Sequence, residues 1–279
     1  MKKSKTAKWL IVITYLFVFF MLILPLLYCV GTAFSKGWKT FSQAVFTTYA
    51  IDAMILTLVV SVICVIVNTL FGLLASNLLT RYLFKGKRVI SALIDLPLTI
   101  SPVVGGLVYV LTYGRQSIFY PLLEKLHLEV MFAPLGIVLV TIFVTFPFVS
   151  REIIPVLNTR GSDEEEAAAL MGASAWTIFK KITYPQVKGP LLYGIVLTMA
   201  RAMGEFGAVS IISGHLLGKT MTMPLYIEFL YQGYDFVGAF ALSSVLVFMA
   251  LIMLFFRQLI ALRGGALNGS KLCRITSYQ

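Results

Sequence analysis

Residues 163–185 read DEEEAAALMGASAWTIFKKITYP, inside a chain that is 59% hydrophobic. Taken as a helix, the stretch has Ser162 to cap its start, with Glu165 three residues on to complete a capping box. Asp163, Glu164, Glu165 and Glu166 fill the first turn, where the helix dipole favours negative charge. Ala167, Ala168 and Ala169 are strong helix formers with almost no side chain. Gly172 takes positive φ and ends the helix. A second short helix is expected from about Ala175 to Ile182, with Lys180 and Lys181 near its end, and Pro185 punctuates it before the next apolar run. The result is two short helices joined by a tight turn. Small residues let another surface approach closely, and an acidic rim steers a basic partner and fixes its register. The plain alternative is a solvated connector. A bare loop of this length is uncommon, and it has no need of helix signals. On the residues alone both readings stand.

The rest of the 279-residue chain is not that of a soluble domain. Only 13% of residues are charged, and the mean hydropathy is +0.90, too apolar for an ordinary water-facing surface. The net charge of +11 falls between oily runs rather than among aromatic residues, which is a membrane pattern and not a nucleic-acid one. Cys29, Cys64 and Cys273 show no paired spacing, so neither a disulfide framework nor a metal motif is expected. His127 and His215 are read as isolated loop residues, since a metal site needs several convergent ligands.

A helix needs about 20 apolar residues to cross the hydrocarbon. Six segments qualify, at roughly 9–31, 51–78, 89–113, 132–149, 190–213 and 237–262. The first follows a basic start, as a signal peptide does. It is long enough to span, and no clear small-x-small cleavage site follows it, so it is read as retained. In lipid the backbone must bond to itself, so helices are expected. These runs are apolar on every side, without the alternation of a β-barrel. The chain is therefore read as all-α, a single polytopic membrane domain over 1–279 with six spans.

Direction follows from Lys and Arg. They crowd the N-terminus, the 81–88 segment, the 151–188 segment and the C-terminal region. Only Lys36, Lys39, Arg115, Lys125 and Lys219 fall on the opposite side. By the positive-inside rule the first group is cytoplasmic. Both termini are then inside, as is the 162–185 segment.

Glu166-Ala167-Ala168, three residues, Gly172, nine residues, Ile182, one residue, then Tyr184-Pro185 resembles the EAA signature of ABC importer permeases, EAA-x3-G-x9-I-x-LP, with Tyr184 at the usual leucine. In that family the segment is the coupling helix, seated in a cleft of a cytoplasmic ATPase subunit. The resemblance therefore assigns Glu166, Ala167, Ala168, Gly172, Ile182 and Pro185 to ATPase docking. The stretches ARAMGEFGAVSIISGHLLGKTMTMPLYIEFLYQGYDFVGAF, DLPLTISPVVGGLVYVLTYG and MFAPLGIVLVTIFVTFPFVSREIIPVL are similar to the sulfate/thiosulfate permeases, especially the W-type subunit. Molybdate permeases share the RAxGEFGA core and less beyond it. The likeness runs from about Ile51 to Phe256.

Arg201 and Glu205 lie one turn apart in the fifth expected span. At 1.5 Å per residue from Pro190, Arg201 is about 16 Å along the helix, near the midplane. Charges at that depth face protein or a water-filled path. Either Arg201 lines the passage and meets an anion with Glu205 holding its side chain, or the two form a structural ion pair. Ala200, Gly204 and Ala208 repeat at four-residue spacing, a small-xxx-small packing seam. Asp95 lies shallow in the third span. It is read as bonding Ser91 or Thr99 or reaching the interface, with a substrate or bending role as the alternative, because Pro97 and Pro102 follow it. Asn68 is read as interhelical glue. SGHLLGKT, 213–220, resembles a phosphate loop, but Ser213 stands where that motif needs glycine.

The resemblance implies a non-catalytic permease subunit of a sulfate, or thiosulfate, importer in the cell (inner) membrane. It implies two ATPase subunits that use ATP, a second permease subunit (a paralogue or a copy), and an extracytoplasmic binding protein. No cofactor or metal is expected on this chain. Molybdate or tungstate is the alternative substrate. The rivals of other classes are an ion-driven secondary carrier with Arg201, Glu205 and Asp95 as a proton relay, and a membrane enzyme. For the enzyme, no nucleophile–base spacing is present.

Overall fold

The computed structural model describes the backbone of residues 5–275 and the side chains of residues 8–259. Cys273 and the terminal basic residues fall outside the described side chains. Among the described residues every regular element is helical. In chain order, α1 is one rod made of Lys5–Val18, a π-helical turn at Phe19–Ile23, and Leu24–Ala33. It is followed by α2 (Gly37–Val45), α3 (Thr48–Arg81), α4 (Lys87–Thr99), α5 (Pro102–Tyr113) and α6 (Tyr120–Lys125). Next come α7 (Pro134–Arg160) and α8 (Asp163–Leu170), then α9 (Ala175–Met203) and α10 (Gly207–Ser213). α11 (Met223–Gln232) and α12 (Phe236–Ile275) close the chain.

Four helices are long and apolar enough to cross a bilayer, over Lys8–Ala33, Thr48–Arg81, Pro134–Arg160 and Phe236–Leu259. The other two expected spans are broken. The third, at 89–113, is not a rod: α4 and α5 meet at 111°. Ser101 precedes Pro102, and a residue before proline avoids the α region. Ile100 and Ser101 are accordingly extended, with ψ of 136° and 134°. α5 has 12 residues and rises about 18 Å, short of the ~30 Å hydrocarbon.

The fifth expected span, at 190–213, differs at both ends. α9 starts at Ala175 and runs past Pro185 and Pro190 to Met203, where the chain turns by 51° into α10. Pro185 therefore does not separate the second short helix from the span. A π-helical turn at Phe179–Thr183 precedes it, and Tyr184 N–H reaches back to Phe179 O. That wider turn absorbs the donor and the space a proline denies an α-helix. The fourth span, expected to stop at 149, continues to Arg160. The small-residue seam is also divided. The break at Gly204 takes Ala208 off the helix that carries Ala200, and Ala208 packs on α5 instead, 2.6 Å from where a Cβ on Gly106 would sit.

Lipid is as apolar as leucine, so close packing and interhelical hydrogen bonds hold such a bundle together. The main core lies between α3, α7, α10, α11 and α12 and includes Val60, Ile137, Val140, Ile212, Leu225 and Leu242. A second cluster joins Val149, Ile153 and Leu157 of α7 to Val187 and Leu191 of α9. There Val149 is flanked by two glycines: a Cβ on Gly72 would come within 2.9 Å of its Cβ, and one on Gly194 within 3.1 Å of its Cα. Asn68 Nδ2 donates to Thr145 Oγ1 at 2.8 Å and to Ile142 O at 3.3 Å, tying α3 to α7. Asn68 is thus interhelical glue, as its sequence context predicts. Thr57, Ser61, Thr141 and Thr145 donate back to the carbonyl four residues earlier, which keeps their hydroxyls satisfied inside the bundle.

Candidate functional site

α8 and the start of α9 form a knob at one end of the bundle. Gly172 has φ +85°. Ala173 N–H donates to Ala168 O at 3.0 Å and Gly172 N–H to Ala169 O at 2.9 Å, the paired bonds of a Schellman ending. Ser174 then caps α9 by accepting from Thr177 N–H at 3.3 Å. The turn between the two helices is thereby closed from both sides, as the sequence predicts.

The start of α8 departs from expectation. Ser162 makes no side-chain cap; its hydroxyl donates to Glu166 Oε1 instead. Glu165 does not close a capping box either. Its Oε1 accepts from Arg81 Nη2 at 3.0 Å and from Thr183 Oγ1 at 2.8 Å, and its Oε2 lies 2.8 Å from Arg81 Nε. Arg81 Nη1 also donates to Leu157 O at 3.3 Å. Glu164 accepts from Gln186 Nε2 at 2.8 Å. Two of the four acids thus hold the knob to the bundle, while Glu166 stays exposed and bonds the half-buried Ser162.

The other motif residues divide the same way. Ala168 is buried against the bundle, Ile182 is half-buried, and Ala167, Gly172 and Pro185 are exposed. The bare surface is apolar. Leu170 is 91% exposed and Met171 82%, and Trp176 is exposed and stacked on Phe179. Sequence reading singled out neither Leu170 nor Met171. Their position just before a left-handed glycine marks a turn tip, which is the signal that could have found them. Between the knob and the ends of α3 and α7 lies an open cleft of about 480 Å³, lined in part by Asn77, Tyr82, Asn158 and Phe179.

The two broken helices meet away from the knob. α5 and α10 pack together, and an added Cβ on Gly207 would lie 3.3 Å from Pro102 Cβ. Glu205 sits at the break between α9 and α10. Its Oε1 accepts from Ala208 N–H at 2.9 Å, capping α10, and its Oε2 lies 2.6 Å from Arg201 Nη1. The Glu205 side chain is 1% exposed and that of Arg201 33%. One carboxylate therefore joins both sides of the break and neutralises a guanidinium that keeps an open edge. Asp95 joins neither residue. It accepts from Arg151 Nε at 2.8 Å, an exposed pair between α4 and α7. This replaces the expected bond to Ser91 or Thr99.

Residues 68–263 match the family described as "Binding-protein-dependent transport system inner membrane component". The chain is 45% identical to the sulfate transport system permease protein CysW of Escherichia coli (strain K12), over 92% of this chain and 88% of that one. It is 44% identical to the protein of the same name from Synechococcus elongatus, over 94% and 92%. Among solved structures, a bacterial ABC transporter involved in the import of the acidic polysaccharide alginate shares the fold. It superposes with a TM-score of 0.78 at 17% identity, covering 94% of this chain and 96% of that one. Broken spans, a Schellman-closed knob and these relatives agree: the chain belongs to the binding-protein-dependent transport system inner membrane components, the multi-pass permease subunits of ABC importers.

Proposed function

We propose that this chain is the permease subunit of an ATP-driven importer of sulfate, or thiosulfate, and that its knob seats in a cytoplasmic ATPase. The observation that carries the reading is the knob itself. It is braced against the bundle by Glu164, Glu165 and Ala168 and bare at Leu170, Met171 and Trp176. A contiguous exposed apolar tip marks a protein-interaction site, and tryptophan is a frequent anchor of such interfaces. The names of the relatives support sulfate over molybdate or tungstate.

The assembly holds two ATPase subunits that bind and hydrolyse ATP, a second permease subunit that is a paralogue or a copy, and an extracytoplasmic binding protein. This chain itself holds no nucleotide. Both termini and the knob lie on the cytoplasmic side, where Lys and Arg concentrate. Closure of the ATPases carries the knob with it, and the bundle rocks to open the passage on alternate sides. Arg201 faces that passage. Because Glu205 already neutralises it, a dianion meets a weak site that it can leave.

The test uses the assembled transporter in vesicles with a cysteine at Met171→Cys. A thiol-to-amine crosslinker is expected to join it to a nucleotide-hydrolysing subunit, and labelled sulfate uptake is expected to need ATP. Ala168, which faces the bundle, does not serve as the handle. No crosslinked ATPase, or uptake that collapses with an uncoupler while ATP stays high, overturns the proposal. The second result would point to the ion-driven carrier, although Asp95 lies on Arg151 rather than in a relay with Arg201 and Glu205.

A further inference from the structure

We infer that Glu165 is a positioning residue that transmits knob movement to the bundle, through one carboxylate joined at once to α3 and α9. The inference rests on the docking reading above and deepens it. α8 has only 8 residues, too short to be stable alone, so a push on it reaches the bundle through the closed turn into α9 and through its side contacts. Glu165 makes the strongest of these. It takes a charge-assisted bond from Arg81, in the last turn of α3, and a hydroxyl bond from Thr183, in the π-helical root of α9. Arg81 adds a bond to Leu157 O, near the end of α7. Three long helices and the knob thus converge on one ion pair.

The pair is also well shielded, with the Arg81 and Glu165 side chains 11% and 15% exposed. An exposed pair shifts freely and contributes little. A shielded pair with further hydrogen bonds resists displacement, since separating it strands a charge. Glu164–Gln186 offers no equivalent, being exposed and confined to α8 and α9. Ala168 adds a buried methyl contact with no polar side-chain partner. Glu166 points to different work, because it is exposed and bonded only to Ser162 within its own helix.

A clamp of this kind makes a distinct claim from mere stability. Loss of stability lowers the amount of complex, and uptake and ATP hydrolysis then fall in proportion. Loss of transmission lets ATP be hydrolysed without moving substrate, so the ratio changes. The experiment measures sulfate taken up per ATP hydrolysed, with the complete transporter in vesicles and the loaded binding protein in excess. Glu165→Gln and Arg81→Gln are each expected to lower that ratio at least about fivefold, the lower edge of ordinary coupling between sites. Because both act through one link, the double variant is expected to fall no further than either alone. Thr183→Val removes one donor at nearly constant shape and is expected to give a smaller fall in the same ratio. It decides the matter if the charged variants fail to assemble.

An unchanged ratio in Glu165→Gln or, failing its assembly, in Thr183→Val overturns the inference, as does a double variant whose loss is the product of the singles. The docking reading fails differently: the unsubstituted chain itself would then capture no ATPase.

Discussion

Gly172→Ala isolates the one backbone conformation on which the knob depends. A Cβ added at Gly172 meets nothing within 4 Å, so no contact is lost or strained. What remains is φ +85°, where a Cβ crowds the following carbonyl and costs about 1–2 kcal/mol. The substitution also stiffens the unfolded chain, which returns roughly 0.4–1 kcal/mol. The net is about 1 kcal/mol against the closed turn. Gly189→Ala is the matched control. Gly189 likewise has nothing within 4 Å and no positive φ, and it lies inside α9, where alanine is favoured over glycine by about 1 kcal/mol. The assay is hydrogen exchange at the Ala173 amide, which is bonded to Ala168 O. In Gly172→Ala that amide is expected to exchange about fivefold faster, since each 1.36 kcal/mol is tenfold. Gly172→Val, with β-branching, is expected to go further, and uptake is expected to fall with it. Gly189→Ala leaves Ala173 exchange unchanged. Equal exchange in Gly172→Ala and the unsubstituted chain would refute the argument, because the added Cβ meets no neighbour at Gly172 and φ is the cost it carries there.

Removing Arg201 strands the buried Glu205 carboxylate, so Arg201→Met is expected to destabilise the chain by about 3–5 kcal/mol and to lower its melting temperature in lipid discs. Adding Glu205→Gln restores most of that, because the amide oxygen still caps Ala208; a double variant no more stable than Arg201→Met contradicts this role for the pair. Gly106→Val places a Cβ 2.6 Å from Ala208 O, a backbone atom, and is expected to cost about 1–3 kcal/mol by overpacking. Gly31→Ala, with nothing within 4 Å, is expected to leave the melting temperature unlowered. Equal melting of these two variants would show that α5 and α10 do not press together there.

The sequence made legible what local rules govern. Long apolar runs located the four helices long enough to span, Gly172 marked the end of α8, and the four-residue spacing of Arg201 and Glu205 foretold their contact. Misreadings arose where distant residues compete with local ones. Glu165 fits a capping box, yet Arg81, 84 positions away, offers a charge in a shielded place, which outweighs a solvent-facing cap. Asp95 has Ser91 and Thr99 within one turn, yet Arg151, 56 positions away, gives a stronger partner. Pro185 reads as a stop, yet a π-helical turn accommodates it. The break at Gly204 carries no proline, so only the buried Glu205 carboxylate, capping the helix beyond, makes it visible.

If the knob seats in an ATPase as proposed, the unbroken length of α9 sets how little rotation that partner must deliver. From Ala175 to Met203 the rod is about 43 Å long at 1.5 Å per residue. Pivoted at Gly204, a swing of only about 10° carries its base through about 7 Å, more than one helical pitch. On that proposal the knob is the long arm of a lever and the bend beside Glu205 its fulcrum, so a broad stroke below becomes a fine adjustment at the break.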